Sequence, residues 1–329
     1  MGRAFQVFRA LVLVGGLVAF GFLVHRLGWS GITRVLGETG LWFVVVAAID
    51  VGSALCDGAA IHRLARVHGP LPYRRAVAAQ LGGVAINRLT PGNALGEPIK
   101  VSIIVEHVPR DGAVSAIMMF DVAATCIAVL VIVIGVPLTL FVADLPPRLA
   151  LIAWIGAGML LAFGIALVRL VRRGVLGTSI RMLARLRLIS AERAAAWTTA
   201  TRVIDTNIAD LGKPRSRVAF AFLFGSRALH WAGTVVLLHA SGLPLTAPLV
   251  IGMLSVGLLV QWASQIVPLG LGLADGGNYL LYAALGAPAA AGLDFSMVNR
   301  ARTCVIAGIG LTVLAITSYV DRRRRAAQE

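Results

Sequence analysis

The sequence predicts an all-α integral membrane protein with about six full transmembrane helices and two oppositely oriented re-entrant helical hairpins. Three observations lead to this fold class. Of the 329 residues, 58% are hydrophobic and only 14% are charged, whereas about a quarter of the residues in soluble domains are charged. Several apolar windows reach the ~20 residues that are needed to cross the hydrocarbon core of a bilayer. Two further apolar segments are interrupted by proline, glycine and a carboxylate, so neither fits a simple span.

Six full spans are predicted in chain order. They are 9–27, 39–62, 113–142, 149–171, 216–240 and 297–320. Arginine-rich connections set their orientation, because cytoplasmic loops carry an excess of cations. On this basis 26–38 is an outside loop although it holds two arginines, and 63–75 and 172–215 lie inside. The tail DRRRR also lies inside. Both termini are therefore predicted to be cytoplasmic.

The net charge of +15 could indicate a nucleic-acid-binding protein, but the position of the cations argues against it. They lie in the gaps between apolar segments, as the positive-inside rule requires. Attraction to anionic lipid headgroups would be an added effect. We therefore expect no nucleic-acid partner.

Two apolar segments begin and end on the same side of the membrane in this topology. Residues 74–110 begin at inside arginines and end at the inside-type loop EHVPRDG, and 247–290 begin and end outside. Each is predicted to be a pair of half-helices that enters the membrane, turns and returns. The turns are RLTPGNALGEP in the first segment and QIVPLGLGLADGG in the second.

The two turns resemble each other. Glu97 follows Pro91 by six residues, and Asp275 follows Pro268 by seven, with glycines between them. Broken helices at matching positions in two halves point to a midplane binding site of a transporter. The single polytopic domain, 1–329, would then hold two repeats of inverted topology. These are 39–142 and 216–320. The alternative is that Pro–Gly turns merely end short helices at the membrane interface.

The two turn carboxylates have two possible roles. Pro98 and the glycines after Asp275 place both at the beginning of a half-helix, where a carboxylate caps free N–H groups and complements the helix dipole. In a functional role, Glu97 and Asp275 would hold a headgroup cation or take up a proton. Aspartate is the better cap, so Glu97 is the stronger functional candidate.

Cations near the turns are candidates for binding an anionic headgroup, because intramembrane charges are costly and arginine pairs well with phosphate. Together with the two carboxylates, the predicted substrate-binding residues are Arg88, Glu97, Lys100, Arg227, Asp275 and Arg300.

Arg227 could instead form a structural ion pair with an aspartate in another span. The candidates are Asp50, Asp57 and Asp121. The first two are seven residues apart on one helix face with Ser53 near them, which indicates a buried polar seam. His230 shares a face with Arg227, and we expect a hydrogen-bonded packing residue there.

The segment 172–215 is predicted to form amphipathic helices at the cytoplasmic membrane surface. Anchoring is the simpler role, and docking of a partner is the other. No HExxH, GxSxG, Walker A or CxxC arrangement occurs in the sequence, so we expect no enzyme, no metal and no cofactor.

At the two turns the sequence resembles a known family. The stretches LTPGNALGEPIKVSIIVEH, VPLGLGLADGGNYLLYAALG and VNRARTCVIAGIGL are similar to the flippase-like membrane domain of lysylphosphatidylglycerol synthases, which also occurs alone in hopanoid-biosynthesis-associated membrane proteins. Where relatives commonly carry a glutamate in the second turn, this sequence has Asp275. No aminoacyl-transferase domain follows in these residues, so we do not expect lipid aminoacylation.

The resemblance implies movement of a lipid between membrane leaflets without a built-in energy source. The expected protein is a stand-alone lipid flippase in the cytoplasmic (inner) membrane of a prokaryote, acting on an anionic or hopanoid-type lipid. The alternative is a scaffold or accessory subunit that binds a lipid-synthesis enzyme and transports nothing. An intramembrane enzyme is a third, weaker option. Expected partners are the lipid, a lipid-synthesis enzyme or a homo-oligomer.

Overall fold

The computed structural model describes residues 2–90, 95–143, 146–172, 214–264 and 272–326. All regular structure in these ranges is α-helical, which confirms the predicted all-α class. The helices are α1 (Gly2–Thr39), α2 (Leu41–Ala65), α3 (Tyr73–Leu89), α4 (Gly96–Ile104), α5 (Arg110–Val142), α6 (Pro147–Arg172), α7 (Pro214–Ala240), α8 (Ala247–Ser264), α9 (Leu273–Ala284) and α10 (Ala289–Ala326). Apolar segments form helices in a bilayer because a helix satisfies its own backbone hydrogen bonds.

In the described ranges, six helical stretches are long and apolar enough to cross a membrane. They are Leu41–Ala65, Arg110–Val142, Pro147–Ala166, Arg217–Ala240, Ala247–Ser264 and Ala289–Asp321. Five of them coincide with predicted spans. The stretch in α8 lies in the segment predicted to form a hairpin, and its 18 residues are enough to cross alone. The predicted first span lies in α1, whose apolar part, Val7–Phe22, is shorter.

Residues 26–38 are helical and not a loop, while their position outside the membrane stays a prediction. Helix α1 continues through these residues to Thr39, and only Gly40 separates it from α2. The stretch contains no proline to stop the helix. Gly40 has a φ of +53°, a left-handed conformation that glycine adopts without steric cost. The chain therefore changes direction at one glycine instead of in a long loop.

Two helix breaks lie where the sequence predicted them. The first separates α3, which ends at Leu89, from α4, which begins at Gly96. The second separates α8, which ends at Ser264, from α9, which follows Gly272. The predicted turn residues Pro91, Gly92, Pro268 and Gly270 lie outside the described residues. So does nearly all of the predicted amphipathic segment 172–215.

Helix packing brings the two halves of the chain together. Helix α2 packs along α7, α3 packs along α10, and α8 packs along α5. Small residues permit the close approach, as in many membrane proteins. A Cβ atom on Gly310 of α10 would collide with the backbone of Leu81 in α3, and one on Gly135 of α5 would collide with Ser255 in α8.

A cluster of charged side chains lies at one end of the bundle. Arg9 of α1 donates to Glu106 and Asp321 at 3.1 Å each. Arg75, near the beginning of α3, also contacts both carboxylates. The beginning of α3, the second residue after α4 and the end of α10 therefore lie together. Burial raises the pKa of the Glu106 carboxyl, and the neighbouring guanidinium of Arg9 opposes this shift.

Candidate functional site

A buried ion pair joins α2 to α10. Asp50 accepts hydrogen bonds from Nε and Nη2 of Arg302, in the two-pronged geometry that favours arginine–carboxylate pairs. The two side chains are only 8% and 4% exposed. Nη2 of Arg302 also lies 3.4 Å from Nδ1 of His230 in α7. His230 is therefore part of a hydrogen-bonded group, as expected.

Two further polar contacts lie on the same face of α2. Oγ of Ser53 is 2.9 Å from Oγ of Ser226 in α7. Asp57 contacts Nη2 of Arg227 at 3.2 Å through both carboxylate oxygens, and it accepts a 2.9 Å hydrogen bond from Nε2 of Gln80. The predicted seam on α2 is confirmed, and we call its members Asp50, Ser53 and Asp57 the polar seam.

The polar seam lies deep within the candidate span. Asp50 and Asp57 precede the end of α2 at Ala65 by 15 and 8 residues, which places them about 22 Å and 12 Å along the helix from that end. The hydrocarbon core is about 30 Å thick. Charged groups at such depths need partners, and the contacts above supply them.

The first helix break carries a second polar group. Asn87 of α3 donates to Oε1 of Glu97 at 3.0 Å and accepts from the backbone N–H of Gly96 at 2.7 Å. Asn87 thereby caps α4 from across the break. Asn87, and not Glu97, caps the N–H of Gly96. Glu97 pairs instead with Nζ of Lys100 at 2.9 Å.

Lys100 is nearly fully buried, at 4% exposure, and it has further partners in α5. Its Nζ lies 3.9 Å from Asp121 and 5.2 Å from the ring centre of Phe120. The Glu97 and Asp121 side chains are about one-third exposed, at 32% and 39%. One ammonium group is thus shared between two carboxylates that reach the protein surface.

Arg88 differs from the other predicted cations in its partner. Its Nη1 donates to the hydroxyl Oγ1 of Thr303 at 3.2 Å. In the part of the chain that the structure describes, no carboxylate lies within ion-pair distance of Arg88. Arg88 is half-buried at the last turn of α3, beside the first break. The charges of Asp50 and Arg302 lie close enough to act on Arg88, so it is a cation beside that pair with no carboxylate partner of its own among the described residues.

At the second break, the carboxylate of Asp275 both caps a helix and contacts a cation. Asp275 accepts a 3.1 Å hydrogen bond from the backbone N–H of Gly272, so it caps α9. It also pairs with Arg300 of α10. Gly272 has a φ of +80°, which explains why glycine occupies this position. The cap prediction for Asp275 is confirmed, and a substrate role stays a prediction.

A polar cavity of about 70 Å³ lies between α7, α8, α9 and α10, large enough for a few water molecules. It opens beside the second break. The polar groups on its wall include His230, Gln261, Asn278, Asn299 and Arg302.

The structure divides the six predicted site residues among four local groups. Glu97 contacts Lys100, and Asp275 contacts Arg300. Arg227 pairs with Asp57, one of the three partners considered for it, and Arg88 contacts Thr303. The hydrogen bonds and ion pairs given above lie within these groups, and the charges of Arg88 and Arg227 both act on His230. Their roles in substrate binding stay predictions.

Asn87 and Gln80 were not among the residues predicted from the sequence. Both are ordinary polar residues of α3, and their partners Glu97 and Asp57 lie in other helices. A polar residue in an otherwise apolar membrane segment is the signal that could have singled them out.

Comparison with protein families gives one match. The model of the lysylphosphatidylglycerol synthase TM region matches residues 7–310, almost the whole chain. Comparisons with curated proteins and with solved structures gave no match.

Proposed function

The chain belongs to the lysylphosphatidylglycerol synthase transmembrane family, a membrane protein family linked to lipid handling, and on this premise we propose that it moves a polar-headed lipid between the two leaflets. The headgroup binds at the broken helices, and the hydrocarbon tails stay in the bilayer. The proposal rests on the surroundings of Arg88. This half-buried cation lies beside the first break, and its hydrogen-bond partner is the hydroxyl of Thr303.

The proposed architecture has two re-entrant hairpins, α3–α4 and α8–α9, although α8 is long enough to cross the membrane alone. The charge cluster supports the first, because Arg75 at its beginning contacts Glu106, just after its end, and also Asp321. The nine residues of α4 and the 12 residues of α9 are too short to cross the hydrocarbon core. A half-helix that turns within the membrane needs protein or a wet cavity around its free backbone groups. Asn87 and the polar cavity supply such surroundings.

The packing pattern supports an inverted repeat. In the proposed repeat α2–α5 corresponds to α7–α10, so α3 corresponds to α8 and α5 to α10. Helix α3 packs on α10, and its counterpart α8 packs on α5. Helices α2 and α7, which correspond to each other, pack together. A pseudo-two-fold axis between α2 and α7 would produce these pairs, as in transporters built from inverted repeats.

The headgroup that fits best carries a phosphate or another anion. The planar guanidinium of Arg88 can form two parallel hydrogen bonds to phosphate. Arg227 offers a second group, since its side chain is 28% exposed and its Nε has no hydrogen-bond partner within the described structure. An arriving phosphate would share Arg227 with Asp57. Lys100 and Arg300 would adjust in the same way by loosening their carboxylate pairs.

The cations lower the barrier for the headgroup, which is the costly part of a lipid to move. A charge without partners in hydrocarbon costs many kcal/mol, and arginines that are already buried offset that cost. The protein catalyses movement in both directions, and the lipid gradient sets the net direction. Glu97 shares Lys100 with Asp121, so protonation of a carboxylate is the proposed way in which this group adjusts as the cavity opens and closes.

The experiment is a leaflet-resolved assay in proteoliposomes with fluorescent headgroup-labelled phosphatidylglycerol. Arg88→Gln removes the cation and keeps a polar side chain. Loss of one hydrogen bond to a charged group costs about 1.5–3 kcal/mol, so we expect transport to fall roughly 10- to 100-fold. Arg217→Gln is the matched control, because Arg217 is exposed near the beginning of α7.

Glu97→Gln and Arg227→Gln complete the set and separate a transporter from a scaffold. A transporter loses activity in both variants while they remain folded by size-exclusion chromatography. A wild-type protein that moves no anionic lipid, with all variants folded and indistinguishable from it, would favour the scaffold or accessory subunit.

A further inference from the structure

An apolar groove runs along α10 next to the proposed headgroup site. Its walls are Phe20 and Val24 of α1, Phe43 of α2 and one face of α10 from Ala301 to Val313. Its volume is about 640 Å³, within the range of small-molecule binding pockets, ~300–1,000 Å³. It is much larger than the polar cavity on the other side of Arg302.

The groove is lined almost entirely by hydrocarbon. Cys304 and Thr312 contribute its polar side-chain atoms, and the hydroxyl of Thr312 is already bonded to the backbone carbonyl of Gly308. Water gains nothing in such a place, because it needs two to four polar partners. The groove is open on one side, so apolar material can enter it and bury its lining. The natural occupant is therefore an apolar chain.

The position of the groove indicates which apolar chain. Phe20 belongs to the apolar part of α1, and the wall residues of α2 and α10 belong to two candidate spans, which places the groove at the depth of the lipid tails. Ala301 and Val313 are 12 residues apart, which gives a length of about 18 Å along the helix. The hydrocarbon core is about 30 Å thick. A lipid chain has the shape and chemistry to fill this length.

The groove begins on α10 beside the residue that contacts the proposed headgroup site. Arg88 donates to Thr303, and the next residue, Cys304, lines the groove. Gly308 keeps the middle of the groove open, since the closest atom to a Cβ there would be the ring of Phe20 at 3.6 Å.

We propose that the groove between α1 and α10 binds one acyl chain of the lipid whose headgroup is held at Arg88. This inference rests on the proposed function, and it changes one part of it: one tail lies against the protein during transport instead of staying in bulk lipid. The site would then select lipids by chain as well as by headgroup.

The test uses phosphatidylglycerol with a diazirine at the end of one acyl chain, reconstituted with the full-length protein. After irradiation, mass spectrometry locates the adducts. We expect them to concentrate on groove residues such as Phe20, Val305 and Ile309, compared with lipid-facing Ile134 of α5. Equal labelling of the groove and Ile134 would overturn the proposal.

Gly308→Phe fills the groove, and Ala315→Phe places the same side chain at an exposed position two turns further along α10. Loss of the burial of two methylene groups lowers affinity roughly tenfold. Gly308→Phe should therefore lower the groove adducts about tenfold, and Ala315→Phe should leave them unchanged. Unchanged adducts in Gly308→Phe would also overturn the proposal.

Two outcomes distinguish this proposal from the transport proposal. If groove adducts form in the wild type and are lost in Gly308→Phe, but no lipid moves between leaflets, the acyl-chain site is supported and the transport proposal is contradicted. Leaflet movement with uniform adducts would contradict only the groove. Disulfide-linked dimers through Cys304, formed in place of lipid adducts, would show that a second copy covers the groove and would overturn the acyl chain as occupant.

Discussion

The ion pair between Asp50 and Arg302 gives the sharpest stability prediction. Asp50→Asn removes the negative charge and keeps the shape of the side chain. Arg302 then stays 4% exposed beside His230, without a carboxylate to neutralise it. Breaking a buried pair by removing one partner costs about 3–5 kcal/mol, and we expect a loss of this size in the free energy of unfolding.

Arg302→Gln should cost a similar amount, because it leaves Asp50 buried and unpaired. Two independent losses would sum to about 6–10 kcal/mol. The double variant Asp50→Asn/Arg302→Gln leaves no unpaired charge, so it should be no less stable than either single variant. The coupling energy is then at least about 3 kcal/mol.

The assay is reversible unfolding of the purified protein in mixed micelles, followed by circular dichroism, with Arg217→Gln as a surface-charge control. Additive losses in the double variant would refute the reasoning, since they would mean that the two charges do not compensate each other. Wild-type stability of Asp50→Asn would refute it as well.

Three smaller effects follow from single contacts. Asn87→Ala removes the cap of α4 and should cost about 0.5–2 kcal/mol, measured by the same unfolding assay. Gly310→Leu should reduce the folded fraction in size-exclusion chromatography, because the new side chain would collide with the backbone of α3. Gly158→Leu should leave the folded fraction unchanged, because nothing lies within 4 Å of a Cβ atom at that site. Arg9→Gln should lower the melting temperature by an amount that changes little between low and high salt, because Arg9 is buried between two carboxylates and is poorly screened.

The sequence was a good guide to the helices and their breaks. Hydropathy located five of the candidate spans, and the proline and glycine runs located both breaks, because these signals act within a few residues. The contact between Glu97 and Lys100 also has a local signature, since residues three apart lie on one helix face.

Partners distant in sequence could not be chosen in the same way. Arg227 had three candidate aspartates in the sequence, and only the packing of α2 along α7 brings Asp57, 170 residues away, to its guanidinium. The helical course of 26–38 was missed for another reason. The first span was ended where its apolar run stops, at residue 27, although a helix can continue beyond its apolar part and the next residues contain no proline.

The central claim is that this protein carries a lipid headgroup across the bilayer, and one measurement tests it most directly. Vesicles with fluorescent phosphatidylglycerol in both leaflets are treated with a membrane-impermeant reductant, with and without the wild-type protein. The account predicts that the protein makes the inner-leaflet label reducible, while protein-free vesicles lose only the outer-leaflet label. If both samples lose only the outer-leaflet label, although the protein is folded and present at more than one copy per vesicle, the claim is contradicted.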